Sequence, residues 1–121
     1  MTIEYAIEAD GSFLHVKAWG EDDDLEDVMR YGQALLAAAV EHNCYKVLCD
    51  ERALIYKITT FDIYQSAKFM AESVPGLAQV AIVFNPKFSA DAKFWETVAV
   101  NRGLKVSFFK DMDEAEAWLD V

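Results

Sequence analysis

The chain has 121 residues, 54% of them hydrophobic and 13% aromatic, enough to bury a proper core without staples and too apolar for disorder. Twenty-one acidic residues against eleven basic ones leave a net charge of −10. No basic cluster supplies the cationic footprint that phosphates or an anionic membrane surface require, which disfavours nucleic acid and membrane partners. The first residues lack a signal-peptide pattern, and no apolar run approaches the roughly 18 residues of a spanning helix. A cytoplasmic protein with no membrane insertion, forming one domain over residues 1–121, is expected.

Residues 2–8 alternate as a strand, with Ile3, Tyr5 and Ile7 set against Thr2, Glu4 and Glu8. Asp10-Gly11 is a hairpin signal, because glycine tolerates the positive φ of such a turn. Phe13 to Trp19 is the return strand, closed by Gly20. After the acidic run Glu21-Asp22-Asp23-Asp24, the spacing of Leu25, Val28, Met29, Leu35, Leu36, Ala39 and Val40 predicts a long amphipathic helix ending near Asn43. The acids read as a solvated start, stabilised by the positive end of the helix dipole.

Tyr45 to Cys49 reads as a buried strand stopping at Asp50. Thr59 or Thr60 caps a second helix with Ile63, Tyr64, Ala67, Met70, Ala71 and Val74 on one face, ended by Pro75-Gly76. Gln79 to Phe84 is a further buried strand. Ser89 is read as the cap of a third helix that turns Phe94, Trp95 and Val98 inward, with Gly103 as its left-handed terminator. Leu104 to Phe109 is the last strand. Asp111 starts a short final helix, with Glu114 completing a capping box and Ala115, Trp118 and Leu119 docking on the core. The order ββαβαβαβα predicts an α/β fold: an N-terminal β-hairpin, then βα repeats, in a mostly parallel five-stranded sheet whose first strand runs antiparallel at an edge.

Several chemistries fail on the residues. The acidic run lacks the alternating acids, the glycine and the distal glutamate of a calcium loop. His15, on a strand face with Phe13, Lys17 and Trp19, shares no motif with His42 at the end of the first helix, so no metal is expected. Neither G-x-G-x-x-G nor G-x-x-x-x-G-K-[ST] occurs, and no cofactor is expected. Cys44 and Cys49 lie five apart around one strand; odd spacing places them on opposite faces, as two reduced thiols. Asp50 beside Cys49 disfavours its thiolate, which argues against a nucleophile.

The chain resembles the STAS superfamily, the sporulation anti-sigma-factor antagonist-like domains, in its bacterial stand-alone branch grouped with CRAL-TRIO-like domains. The resemblance is carried by Asp10-Gly11, by Val47-Leu48-Cys49-Asp50-Glu51-Arg52, by Asn101-Arg102-Gly103 and by Ala115-Glu116-Ala117-Trp118-Leu119. It implies a non-enzymatic regulatory or ligand-binding module. The antagonists' phosphorylatable Asp-Ser at the start of the second helix is replaced by Ile58-Thr59-Thr60-Phe61-Asp62, so their phosphoswitch does not carry over; whether Thr59 or Thr60 substitutes stays open.

In an open parallel sheet, ligands bind beyond the carboxyl ends of the strands. That edge gathers Asp50, Arg52, Lys57, Thr59 and Thr60 from one segment and Asn85, Lys87 and Ser89 from another. The free N–H groups of the helix starts add to an anion-friendly rim. The expected partner there is a small anionic or polar ligand or an acidic tip of an unknown protein; alternatively, Arg52 pairs with Asp50 or Glu51, and the hydroxyls only cap helices. Phe61 and Phe69, off the inward face of the second helix, and Phe13, His15 and Trp19 on one strand face suggest a homodimer interface or an apolar ligand. Two other classes stand beside the regulatory module. One is a small enzyme using Asp50 or Glu51 as base and Arg52 or Lys87 as stabiliser; the other is a lipid or apolar-ligand carrier.

Overall fold

Alternation builds the first two strands, and a glycine joins them. In the computed structural model, which describes residues 2–75 and 78–121, β1 (Ile3–Asp10) pairs antiparallel with β2 (Phe13–Glu21), from Ile3 opposite Gly20 to Asp10 opposite Phe13. The connecting Gly11 has φ +63°. Gly20 is constrained more tightly: its φ is +95°, and a Cβ there would lie 2.5 Å from the carbonyl oxygen of Thr2. Any side chain at Gly20 would push the two strands apart.

The remaining elements follow in βα units: α1 (Leu25–Glu41), β3 (Lys46–Ile55), α2 (Thr60–Ser73), β4 (Gln79–Phe84), a 3₁₀ turn (Pro86–Phe88), α3 (Ser89–Asn101), β5 (Lys105–Phe109) and α4 (Met112–Leu119). The sheet order is β1-β2-β3-β4-β5, parallel throughout except for the first pair. This is the predicted α/β order with its antiparallel edge strand. Gly76 of the expected Pro75-Gly76 helix stop lies outside the described residues; α2 itself closes at Ser73.

The two faces of the sheet are unequal. On one, Ile3, Leu14, Val16, Ala18, Val47, Cys49, Ile82 and Val106 are buried in a large core with Tyr31 and Leu35 of α1, Ala67 of α2, and Val98 and Ala99 of α3. On the other, Leu48, Ala81 and Val83 are covered by Ala115 and Leu119 of α4 alone. The β2 residues His15, Lys17 and Trp19 remain exposed, on the face opposite the buried Leu14, Val16 and Ala18.

Three expected inward positions turn out otherwise. Val40 is exposed near the end of α1, Phe94 is exposed on α3, and Trp118 packs sideways on Phe109 at 5.8 Å while staying partly open. The buried stripe of α1 runs instead through Asp27, Tyr31, Gly32 and Leu35. Gly32 faces the Met70 side chain of α2, whose Sδ an added Cβ would meet at 2.6 Å, so a larger residue would require that side chain to move.

The third strand does not stop at Asp50. It continues to Ile55 through a β-bulge: Lys17 pairs with Asp50 and Trp19 with Ala53, so β3 spends one extra residue where β2 spends none. The bulge resets the parity. Val47, Cys49 and Glu51 face the three-helix core before it, and Leu54 after it. The cysteine parity argument also fails, because Cys44 precedes the strand. Both cysteines are buried in the same core, and both are free thiols. Burial, followed by the nearby Glu51 carboxylate, pushes the Cys49 thiol well above its ordinary range.

Candidate functional site

Because every helix follows a strand, the helix starts collect at the carboxyl edge of the sheet, and the acidic run is built into that edge. Glu21 ends β2 and pairs with Lys57 Nζ at 3.1 Å. Asp22 is 5% exposed; its Oδ1 accepts the backbone N–H of Lys57 and, at 3.1 Å, that of Ile58, clamping the β3–α2 loop to the end of β2. Its own N–H donates to the Ile55 carbonyl at 3.1 Å. Asp24 caps α1 by accepting the Asp27 N–H at 2.8 Å. Asp27 accepts from the Ile3 N–H at 3.0 Å, from Arg30 at 2.6 Å and from the Thr2 hydroxyl. Burial alone would raise the Asp27 carboxyl, but these donors outweigh it and hold it below the ordinary carboxylate range. The run is therefore not simply a solvated helix start. Asp24 caps α1, Asp22 is a buried acceptor for loop amides, and Asp27, just beyond the run, accepts a strand amide.

The eight expected rim residues fall into two groups. Asp50 and Arg52 form one: the guanidinium grips the carboxylate through Nε at 2.9 Å and Nη2 at 2.8 Å. Arg52 also feels the Asp111 carboxylate at the start of α4, so this pair belongs to the α4 side of the sheet. The Arg52 hydrogen bonds hold the Asp50 carboxyl below its usual range.

Lys57, Thr59, Thr60, Asn85, Lys87 and Ser89 form the second group, on the loops that start α2 and α3. Thr59 is the cap of α2, accepting the Asp62 N–H at 3.2 Å, and Thr60 is its first residue. Asn85 accepts the Lys87 N–H at 3.0 Å and starts the 3₁₀ turn. Ser89 is not the cap of α3. The intervening turn makes it the first helical residue, and its hydroxyl donates back to the Pro86 carbonyl at 2.7 Å. Lys87 Nζ lies 6.0 Å from the ring of Phe88, and that ring packs on Tyr56 at 5.4 Å, joining the two loops.

A further constellation lies beneath these loops, and sequence reading saw it only as an alternative base. Glu51, 7% exposed, accepts the Tyr31 hydroxyl at Oε2 (2.9 Å) and the Tyr56 hydroxyl at Oε1 (2.6 Å). Burial raises the Glu51 carboxyl; the two phenols only partly restrain it. The phenols are themselves pushed well above their ordinary range, by burial first and the adjacent carboxylate second. The three groups border a cavity of about 110 Å³ between the sheet and α1, α2 and α3, lined almost wholly by apolar side chains. Asp22 and Asp91 also line it, and burial raises the Asp22 carboxyl to about 6 against its two amide donors. The alternation of Val47, Cys49 and Glu51 was the available signal, since it carries an acid inward at the next step.

No helix of the described residues is long and apolar enough to cross a membrane, and no described group of three or more His, Cys, Asp or Glu is placed to hold a metal ion. No family model matches the chain, and no curated protein matches its sequence. Solved structures do match. An anti-sigma factor antagonist from Mycobacterium paratuberculosis superposes with a TM-score of 0.69 at 14% identity, covering 99% of this chain and 96% of that one. An uncharacterized protein of the DUF3478 family from Shewanella loihica, with a SpoIIAA-like fold, gives a TM-score of 0.55 at 20% identity over 98% and 94%. The chain thus has the anti-sigma-factor antagonist fold, the fold of the STAS domains.

Proposed function

We propose that this chain is a non-enzymatic regulatory module of the cytoplasm that docks a partner protein on the rim formed by the starts of α2 and α3. The likeness to an anti-sigma factor antagonist over nearly the whole chain supports a protein partner. The observation that carries the reading is Phe61: 65% exposed in the first turn of α2, beside exposed Thr59, Thr60 and Lys57. A large apolar ring held in water by a rigid helix, rimmed by hydroxyls and a cation, is the anatomy of an interface anchor. A small anion is the weaker occupant of this rim, because Lys57 is already engaged by Glu21, and Arg52 stands with Asp50 on the α4 side.

The test is site-specific photo-crosslinking in the source cells, with the crosslinker at position 61 and, as control, at Val40, which is 70% exposed at the far end of α1. The reading expects one protein captured from position 61 and not from position 40. Capture is expected to fall at least tenfold when Lys57→Glu is added. Equal capture from both positions, or none from position 61, sinks it. Anion-induced melting shifts that vanish in Lys87→Ala would transfer the rim to a small ligand instead.

A further inference from the structure

The sheet has two edges, and they are guarded unequally. At one edge β5 spans only Lys105–Phe109, starts on a lysine and is followed by Lys110, the charges with which natural edges discourage a further strand. At the other, β1 runs the eight residues Ile3–Asp10 in unbroken register with β2, and it contains no proline and no lysine. A long edge of this kind presents a row of backbone groups to which another chain can add.

The turn decides which groups those are. Only Gly11 and Ser12 join Asp10 to its partner Phe13, and the closing pair of a two-residue hairpin exchanges both hydrogen bonds, as then do Glu8 with His15, Ala6 with Lys17 and Glu4 with Trp19. The backbone groups of Ile3, Tyr5, Ile7 and Ala9 therefore point away from β2. Ile3 agrees: its N–H donates to Asp27 Oδ2 at 3.0 Å, and its carbonyl accepts from Arg30 Nη2 at 2.9 Å. No described residue bonds the N–H or the carbonyl of Tyr5, Ile7 or Ala9. Asp27 and Arg30 of α1 thus close one end of the edge and leave the rest open.

The side chains say what kind of strand fits. Glu4 and Glu8 are exposed on the outer face, with Asp10 ending the same row, and neither glutamate makes a hydrogen bond or ion pair with a described residue. Lys17 stands one strand further in, opposite Ala6. On the other face Tyr5 and Ile7 are half-buried against the three-helix core, Tyr5 lying 5.6 Å from the Tyr31 ring. We propose that β1 accepts an extended segment of a partner protein in which basic residues alternate with apolar ones, paired through the backbone of Tyr5, Ile7 and Ala9. The backbone bonds supply affinity; the cations opposite Glu4 and Glu8, and the apolar side chains beside Tyr5 and Ile7, supply the choice. The β1 of a second copy is a poor occupant, because it brings Glu4, Glu8 and Asp10 and no base, and like charges opposite one another destabilise a strand pair. This assignment does not rest on the docking role of Phe61.

The test is amide hydrogen exchange of the full chain, read residue by residue by ¹H–¹⁵N NMR, while end-blocked peptides of alternating lysine and valine, or of alternating glutamate and valine, are added at constant ionic strength. Without peptide, Tyr5, Ile7 and Ala9 are expected to exchange fast and Glu4, Ala6 and Glu8 slowly. The lysine peptide is expected to protect the three fast amides saturably and to bind about tenfold more tightly than the glutamate peptide. Ala9→Pro removes one outward N–H, a change an edge strand tolerates, and is expected to weaken the lysine peptide about tenfold. Glu4→Lys combined with Glu8→Lys leaves the backbone alone and is expected to invert the preference between the two peptides. Slow exchange of Tyr5, Ile7 and Ala9 before any peptide is added overturns the assignment, and if it grows with protein concentration it gives the edge to a second copy. So does binding of the lysine peptide that leaves these three amides unprotected, absence of binding, or a preference that survives the double charge reversal.

Discussion

Asp50 and Glu51 are consecutive carboxylates on one strand, and they live in opposite environments. Asp50 points to the α4 side, is gripped by a half-exposed arginine and titrates below its ordinary range. Glu51 points into the three-helix core, is served only by neutral phenols and titrates above it. A single step of the β pleat separates a surface ion pair from a buried acid. The lesson is that one pleat step decides how an acid is served. Asp50 has an arginine, while Glu51 has only neutral hydroxyl donors.

The sharpest way to break that comparison is Glu51→Ala. It strands two buried phenols and enlarges the cavity, so a loss on the order of 4 kcal/mol is expected in urea unfolding. Glu51→Gln, which preserves shape and one acceptor, should recover most of it. A loss below about 1 kcal/mol for the alanine variant would mean the phenols find other partners, and Glu51 would be no more structural than Asp50.

Next in size is the pH dependence carried by Asp22. Its folded pKa of about 6 lies above the unfolded 3.8, so the folded state binds this proton more tightly. The stabilising contribution is then complete below pH 3.8 and is lost as pH rises through about 6. The gap is worth on the order of 3 kcal/mol. Wild-type stability minus that of Asp22→Asn should therefore fall between pH 4 and pH 7. A difference that is flat across this range would show Asp22 to be an ordinary carboxylate.

Tyr56→Phe removes one donor from Glu51 while leaving the ring against Phe88, so a loss of about 1 kcal/mol and a still higher Glu51 pKa are expected. Carboxyl ¹³C titration reads the second of these directly. The smallest effect belongs to the other face. Arg52→Ala should cost less than about 1 kcal/mol, because Arg52 is 52% exposed, and the Asp50 titration should move back up towards its ordinary range. A larger loss from Arg52→Ala than from Tyr56→Phe would reverse the comparison.

Much of this was readable from local pattern. The alternation of Ile3, Tyr5 and Ile7, the Asp10-Gly11 turn and the run from Gln79 to Phe84 mark their strands, since each is decided by neighbours along the chain. Thr59, Asp111 and Gly103 mark helix ends for the same reason: Thr59 and Asp111 supply acceptors for their helices' first amides, and Gly103 takes φ +95°. The strand beyond Cys49 was not legible. Asp50-Glu51-Arg52 is polar, and polarity reads as loop. The Asp50–Arg52 pair lies two residues apart and was readable as an alternative, whereas Glu51 is satisfied by Tyr31, twenty residues upstream, which local sequence cannot see. Asp22 was misread in the same way, as one solvated acid among four, because its donors lie thirty-five and thirty-six residues away.

By itself the sequence determined the order of strands and helices, the antiparallel first edge and the gathering of the helix starts, because periodicity and turn chemistry act over a few residues. Only the tertiary structure decided which acids are buried, where the bulge turns β3, and that a cavity lined by three carboxylic acids lies beneath the rim. Burial and pairing depend on which distant elements arrive at the same place, and packing of three helices on one sheet face settles that.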